Sequence, residues 1–168
     1  MTINLYQASV PVFVQQLQAM KGVLAKAEAY AAAKKIQPEV LLNARLFPDM
    51  LPFVRQVQIA SDFAKGGTAR LAGREVPKWE DMEKTFAELQ ARLDKAIEFV
   101  SAVPAEEIIG QEAREVSLPV GGQTMNFVAQ PYLLGFVLPN FFFHASIAYA
   151  ILRHNGVEIG KRDFIGQV

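Results

Sequence analysis

The chain has 168 residues, enough for one domain with a full hydrophobic core, and 51% of them are apolar while 20% are charged. This composition excludes disordered, collagen-like and low-complexity proteins. The 17 basic and 17 acidic residues balance, so no net field draws the chain to nucleic acid or to an anionic membrane. Because the sequence contains no cysteine, disulfides, thiolate metal sites and cysteine nucleophiles are excluded.

The first long segment has apolar residues at spacings of three and four, which predicts an amphipathic helix over residues 9–34. A second apolar stripe predicts a helix over residues 49–71, with Asp49 as a capping residue after Pro48. Beside this stripe runs a polar one at the same helical period, formed by Arg55, Gln58, Asp62 and Lys65. We expect the polar stripe to lie at the core boundary, where it is the chemically interesting face of the helix.

The cleanest apolar heptad predicts a third helix over residues 79–102, with Glu80, Asp81 and Glu83 in its first turn and Met82 in its apolar stripe. Partial alternation on either side of two adjacent glycines predicts a small β-hairpin from Glu115–Val120 and Gln123–Val128. A fourth, almost wholly apolar helix is predicted over residues 131–154, ending at a C-cap formed by Asn155 and Gly156.

These elements predict an all-α four-helix bundle, a single domain over residues 1–168, with the hairpin inserted before the last helix. A helix that is apolar on all sides needs more cover than a small bundle provides, so we expect part of it to meet a second copy in a homodimer. Its uncharged run from 131 to 152 is long enough to span a bilayer. We favour a buried helix in a soluble bundle because the run is interrupted by polar residues and the other helices are amphipathic.

The N-terminal residues lack the basic start and the apolar stretch of a secretory signal, so we expect a cytoplasmic protein. The common signatures of hydrolases, zinc peptidases, dinucleotide-binding folds and phosphate loops do not occur in the sequence. No nucleic-acid partner is expected.

Two polar residues stand out on the predicted last helix. Asn140 lies one turn before His144 on the same face, and Pro139 is expected to bend the helix just before them. His154 precedes the helix end and is interpreted as a capping residue.

Buried polar side chains require partners, which leaves two interpretations open. In the first, Asn140 and His144 bond to each other, to an internal water, or to the polar stripe of the second helix, and only fix the register of the bundle. In the second, they line a metal-binding or ligand-binding cavity between the second and fourth helices, where bundles usually place such sites.

Three segments carry a resemblance to a known family: RLFPDMLPFVRQVQIASDFAKG, ARLAGREVPKWEDMEKTFAELQARL and LPNFFFHASIAYAILRHNGVEIGKRDF. They resemble a bacterial and fungal domain-of-unknown-function family, number 1993, a branch of the DinB/YfiT-like metalloenzyme superfamily. The resemblance implies a four-helix bundle, frequent dimers and a divalent metal held by three histidines, and relatives that include thiol-dependent transferases and a maleylpyruvate isomerase.

Carried onto this sequence, the resemblance places the later histidine of the last-helix pair at His144 and the earlier one at Asn140. The second-helix position falls near Gln58, within a residue or two, which also admits Asp62. The implied site is therefore His144, Asn140, Gln58 and Asp62, a degenerate set that would take a divalent metal such as zinc or nickel, or a small molecule. The alternative function is a non-catalytic dimeric module that binds a small molecule or a protein partner.

Overall fold

A computed structural model describes residues 3–167 as a mostly helical chain with one antiparallel β-hairpin. In chain order the elements are α1 (Val10–Lys34), α2 (Pro38–Leu42), α3 (Phe53–Leu71), α4 (Phe86–Ser101), a 3₁₀ turn (Ala105–Glu107), β1 (Glu115–Val120), β2 (Gln123–Val128), α5 (Ala129–Tyr132), a π-helical turn (Leu133–Val137), α6 (Leu138–His154) and α7 (Lys161–Ile165). The helical class and the hairpin are confirmed. The short helices α2, α5 and α7 were not predicted, so a plain four-helix description is too simple.

The hydrophobic core lies between α1, α3, α4 and α6, with α3 packed against both α4 and α6. Aromatic side chains fill its centre, because Phe13 on α1 and Phe141 on α6 are fully buried and meet edge to face at 5.0 Å. Leu89 and Leu93 on α4 are also fully buried, which confirms the apolar heptad predicted there.

The hairpin forms over the predicted residues, with Glu115 paired to Val128 and Val120 to Gln123. The turn needs positive φ at two successive residues, and Gly121 (φ +57°) and Gly122 (φ +83°) supply it without steric cost.

Two predicted helix starts are wrong, and both helices begin later. Helix α3 begins at Phe53 instead of residue 49, because Pro52 is its N-cap and a proline disfavours helical geometry in the residue before it. No side chain caps this end, so the capping role expected for Asp49 is also wrong.

Helix α4 begins at Phe86 instead of residue 79, behind a capping box in which Thr85 and Glu88 each accept from the other's backbone N–H. Residues 79–84 precede the helix as irregular chain, and Met82 is 64% exposed instead of lying in the core. Asp81 and Glu83 of this segment form ion pairs with Arg92 of α4.

The last helical segment is continuous from residue 129 to 154 but contains the π-helical turn just before Pro139. A proline cannot donate the backbone hydrogen bond of its turn, and a π turn is one way for a helix to accommodate that loss. By length and composition this segment is apolar enough to cross a membrane. Only 28% of its most apolar window is buried, so it is less enclosed than the buried helix expected from the sequence, and its inner face packs in the hydrophobic core. The predicted C-cap at Asn155 is confirmed.

The close approach of α3 to the π turn depends on Gly67. A Cβ atom at this position would lie 2.7 Å from Val137 Cγ1, well inside van der Waals contact. We predict that Gly67→Ala destabilises the fold by roughly 1–3 kcal/mol through overpacking, although alanine is the better helix former. Urea unfolding measures the free energy directly.

The matched control is Gly22→Ala on α1, where no atom lies within 4 Å of the added Cβ. This variant should gain up to about 1 kcal/mol from helix propensity. Equal stabilisation of both variants would contradict the close approach.

Candidate functional site

The four residues expected to form one site lie in two different places. Gln58 and Asp62 on α3 face α4 and the chain before it, whereas Asn140 and His144 lie on α6. The residue of α3 that hydrogen-bonds to His144 is Gln56, two positions before Gln58. Two helical residues are about 200° of rotation, so these two glutamines project from opposite sides of α3.

Gln58 and Asp62 belong to a charged network centred on Arg92 of α4. The Arg92 side chain is 2% exposed, and its guanidinium lies 3.0 Å from carboxylate oxygens of Asp62, Asp81 and Glu83. Its Nε atom donates to the Ser61 hydroxyl at 2.7 Å. A buried guanidinium is tolerated only when its donors are paired, and every nitrogen of Arg92 has a partner.

Further bonds make this network electrically neutral. Arg55 pairs with Asp81, and Lys65 with Asp62 at 2.7 Å, so three cations face three carboxylates. Gln58 accepts from Arg55 and donates to Glu83, both at 2.7 Å. The hydrogen-bonding groups of Gln58 and the carboxylate of Asp62 are thus engaged in joining α3 to α4 and to residues 79–84.

On the opposite side of α3, a glutamine fixes the ring of His144. Gln56 is 2% exposed, and its Nε2 donates to the Leu51 carbonyl at 3.0 Å, which turns its Oε1 toward α6. This Oε1 lies 2.8 Å from His144 Nδ1. Because a carboxamide oxygen only accepts, Nδ1 carries the proton and Nε2 keeps its lone pair.

The Nε2 atom of His144 opens to solvent. It has no protein partner among residues 3–167, and it is not one of the buried side-chain atoms without a partner. Phe63 stacks on the imidazole with ring centroids 6.0 Å apart, and Phe143 meets it edge-on at 5.2 Å. Burial between these rings lowers the pKa of His144 below its usual 6.5, which favours the neutral imidazole.

Asn140 is partly buried one turn before His144, and its Nδ2 donates to the Phe136 carbonyl at 2.8 Å. Phe136 belongs to the π-helical turn, so the amide satisfies a backbone acceptor at the irregular part of the helix. Asn140 and His144 do not bond to each other in the structure.

The donor set does not fit a tightly held transition metal. Over residues 3–167 no three His, Asp, Glu or Cys side chains come together as a ligand group. Around His144 the polar neighbours are the amides of Gln56 and Asn140, which are poor ligands for zinc or nickel, and Asp62 is engaged by Arg92 and Lys65.

Gln56 and Arg92 were missed by sequence reasoning, although each leaves a signal. Gln56 lies three residues after Phe53 and four before Ala60, inside the apolar stripe of α3. Arg92 similarly follows Leu89 by three residues inside the heptad of α4. A single polar residue within an apolar stripe indicates a buried polar contact, but the pattern does not identify its partner.

With the fold and site described, the chain can be compared with known proteins. It is similar to a crystal structure of a DinB family member from Shewanella denitrificans, with 37% identity, a TM-score of 0.89, and coverage of 98% of this chain and 93% of that chain. This likeness defines the class as a DinB-type helical bundle. The profile of the domain-of-unknown-function family DUF1993 matches residues 5–165, and the chain belongs to that family. No protein of the curated set matches the chain.

The lowered pKa of His144 gives a pH dependence of stability with a definite sign. As the pH falls through 6.5 the unfolded chain takes up a proton at His144 before the folded chain does, so the folded state loses stability. We predict that the stability stops decreasing once the pH is below the pKa of His144 in the folded state. The variant His144→Gln, whose amide can still donate to Gln56, should abolish this pH dependence. Urea unfolding at a series of pH values between neutral and acid measures the slope.

The control is His154→Gln, which replaces an exposed histidine at the end of α6. This variant should show the same decrease in unfolding free energy at acid pH as the unaltered chain, because it retains His144. A slope that is unchanged in His144→Gln would show that His144 is not held neutral.

Proposed function

We propose that the protein binds a small molecule at His144 and presents Nε2 of a neutral imidazole to it as an acceptor of a proton or a hydrogen bond. The proposal rests on the 2.8 Å contact between Gln56 Oε1 and His144 Nδ1, which fixes the imidazole as the Nδ1-protonated tautomer. The anchoring of Gln56 by the Leu51 carbonyl prevents the amide from turning over. We place this activity in the cytoplasm, in keeping with a DinB-type soluble fold.

The arrangement has the elements of a general base. Glutamine positions the ring, the proton stays on Nδ1, and the lone pair of Nε2 faces solvent, so a hydroxyl or thiol of a ligand can donate to it. The lowered pKa keeps the ring unprotonated at neutral pH. A ligand bound there would also lie next to Phe143, which is 54% exposed and supplies apolar contact area.

The degenerate ligand set favours this function over a resident metal. A lone imidazole with amide neighbours gives zinc or nickel one good ligand, and such ions would then be held weakly by Nε2. Metal-assisted catalysis is therefore the alternative within the same site. It requires the ligand or solvent to supply the remaining donors.

The metal content of the purified protein distinguishes ligand binding without a resident metal from metal-assisted catalysis. We predict that protein purified without an affinity tag contains less than stoichiometric zinc, nickel or manganese, and that adding these ions shifts its melting temperature little. Elemental analysis and thermal unfolding measure both quantities. Stoichiometric metal, or a large stabilisation by one ion, would contradict the proposal.

The variant Asn140→His provides a positive control, because it places a second imidazole four residues before His144 on the same helix face. It should bind zinc at least about tenfold more tightly than the unaltered chain, since it adds a nitrogen ligand. The double variant Asn140→His/His144→Gln should lose this gain. No gain in Asn140→His would show that Nε2 is not accessible to an ion.

A second candidate function is a homodimeric module, favoured by the outer face of the last helical segment. Leu134 and Phe143 on this face are 51% and 54% exposed, and apolar area of this kind commonly marks an interface between subunits. We place the second copy of the chain against this face.

Light scattering of dilute protein tests the dimer. Phe143→Glu would bury a charge in the interface and should convert the dimer to a monomer. The control Met82→Glu alters an apolar residue outside this face that is at least as exposed as Phe143, and it should leave the mass unchanged. A wild-type protein that is monomeric at micromolar concentration would contradict the interface.

A further inference from the structure

A second cleft shares the Phe63 side chain with the surroundings of His144, but His144, Gln56 and Asn140 are not among its lining residues. This open cleft of about 430 Å³ separates the C-terminal half of α3 from the chain that follows it. Its walls include Phe63, Gly66, Arg70, Trp79 and Tyr132. This volume falls in the range of small-molecule pockets.

Arg70 is the arginine of this cleft, and within the described part of the chain its guanidinium is not paired with a protein carboxylate. No Asp or Glu among residues 3–167 forms an ion pair with it, whereas Arg55, Arg74 and Arg92 all have acidic partners. Its recorded hydrogen bond runs from Nη1 to the Tyr132 hydroxyl at 3.3 Å. A partly buried guanidinium with open donors is a ready receptor for a carboxylate, which it holds through two parallel bonds.

The helix makes room for this guanidinium. A Cβ at Gly66 would lie 2.7 Å from Arg70 Nη1, so the guanidinium occupies space that a larger residue at position 66 would take. Gly66 is an interior residue of α3, where glycine is otherwise unfavourable.

The Tyr132 hydroxyl is a second polar group of the cleft, and it keeps its proton. It is 1% exposed, and burial raises the pKa of its hydroxyl, so the group stays protonated at neutral pH. The hydroxyl oxygen accepts from Arg70, which leaves its proton for an acceptor in the cleft.

The remaining charges of the cleft favour an anion. Lys65, Arg70 and Lys78 are the basic residues that line it, and Asp62 is the acidic one. Asp62 is already held by Lys65 at 2.7 Å and by Arg92 at 3.0 Å. Arg70 and Lys78 therefore supply positive charge that no protein carboxylate in the cleft neutralises.

The other walls are apolar. Phe63 and Trp79 present aromatic rings, and Val76 and Leu118 present aliphatic groups. A ligand matched to this lining has a carboxylate at one end and an aromatic or aliphatic body at the other. We propose that the cleft between α3 and residues 76–79 binds a small apolar carboxylate, with its charged end on Arg70 and the Tyr132 hydroxyl.

Trp79 provides the measurement, because it is the single tryptophan of the sequence and lines the cleft. Phenylacetate is the probe, and its titration should change the fluorescence of Trp79 in a saturable way. Phenylacetamide, which has the same body without the charge, and inorganic phosphate, which has charge without the body, should each bind at least about tenfold more weakly.

Three variants assign the contacts. Arg70→Gln should weaken phenylacetate binding at least about tenfold, and Tyr132→Phe by about fivefold, because each removes donors to the carboxylate. The control Arg153→Gln changes an exposed arginine at the far end of α6 and should bind as the unaltered chain does. Circular dichroism of each variant confirms that it folds.

The proposal is overturned if phenylacetate leaves Trp79 unchanged at millimolar concentration, or if phenylacetamide or phosphate binds equally well. It is also overturned if folded Arg70→Gln and Tyr132→Phe both retain full affinity. Should Arg70→Gln fail to fold, Tyr132→Phe and the phenylacetamide comparison decide the outcome.

Discussion

Helix α3 is enclosed on two opposite sides, and this constraint determines the partners of its polar residues. Thirteen of its 19 residues are buried, two of them glutamines that project in opposite directions. A buried amide that lacks hydrogen bonds costs on the order of 1–3 kcal/mol, so each glutamine must be matched by a neighbouring element. Gln58 is matched by Arg55 and Glu83 of the Arg92 network, and Gln56 by His144.

The two matches have different chemical consequences. On the α4 side the charges cancel within the protein, because each member of the Arg92 network is paired, and little reactivity remains for a ligand. On the α6 side the partner is a neutral amide, which fixes one imidazole nitrogen and leaves the other open. The family resemblance implies three histidines at a metal, and this chain retains one imidazole with amides beside it. The proposed role of His144 Nε2 accordingly requires no resident metal.

Sequence reasoning predicted the features that depend on local pattern. The apolar stripes of α1 and α4, the long apolar run of α6 and the Gly121–Gly122 turn depend on residues close in the chain, and these local patterns predicted the helices and the hairpin.

The site was predicted only in part. His144 and Asn140 were found on one helix, but whether Gln56 or Gln58 meets His144 depends on the rotation of α3 about its axis. Long-range packing sets that rotation, including the contact of Gly67 with Val137. Arg92 was missed for a related reason, since two of its three carboxylate partners lie in irregular chain that the acidic pattern of residues 80–83 wrongly placed in a helix.

The proposed site depends on Gln56 holding His144 as a neutral ring with its proton on Nδ1. Nitrogen-15 NMR of the imidazole at neutral pH tests this most directly, because protonated and unprotonated ring nitrogens resonate at well-separated shifts. We expect a protonated Nδ1 and an unprotonated Nε2, and we expect Gln56→Glu to raise the pKa of the ring by adding a negative charge beside it. A proton on Nε2, or a doubly protonated ring at neutral pH in the unaltered chain, would contradict this role of Gln56.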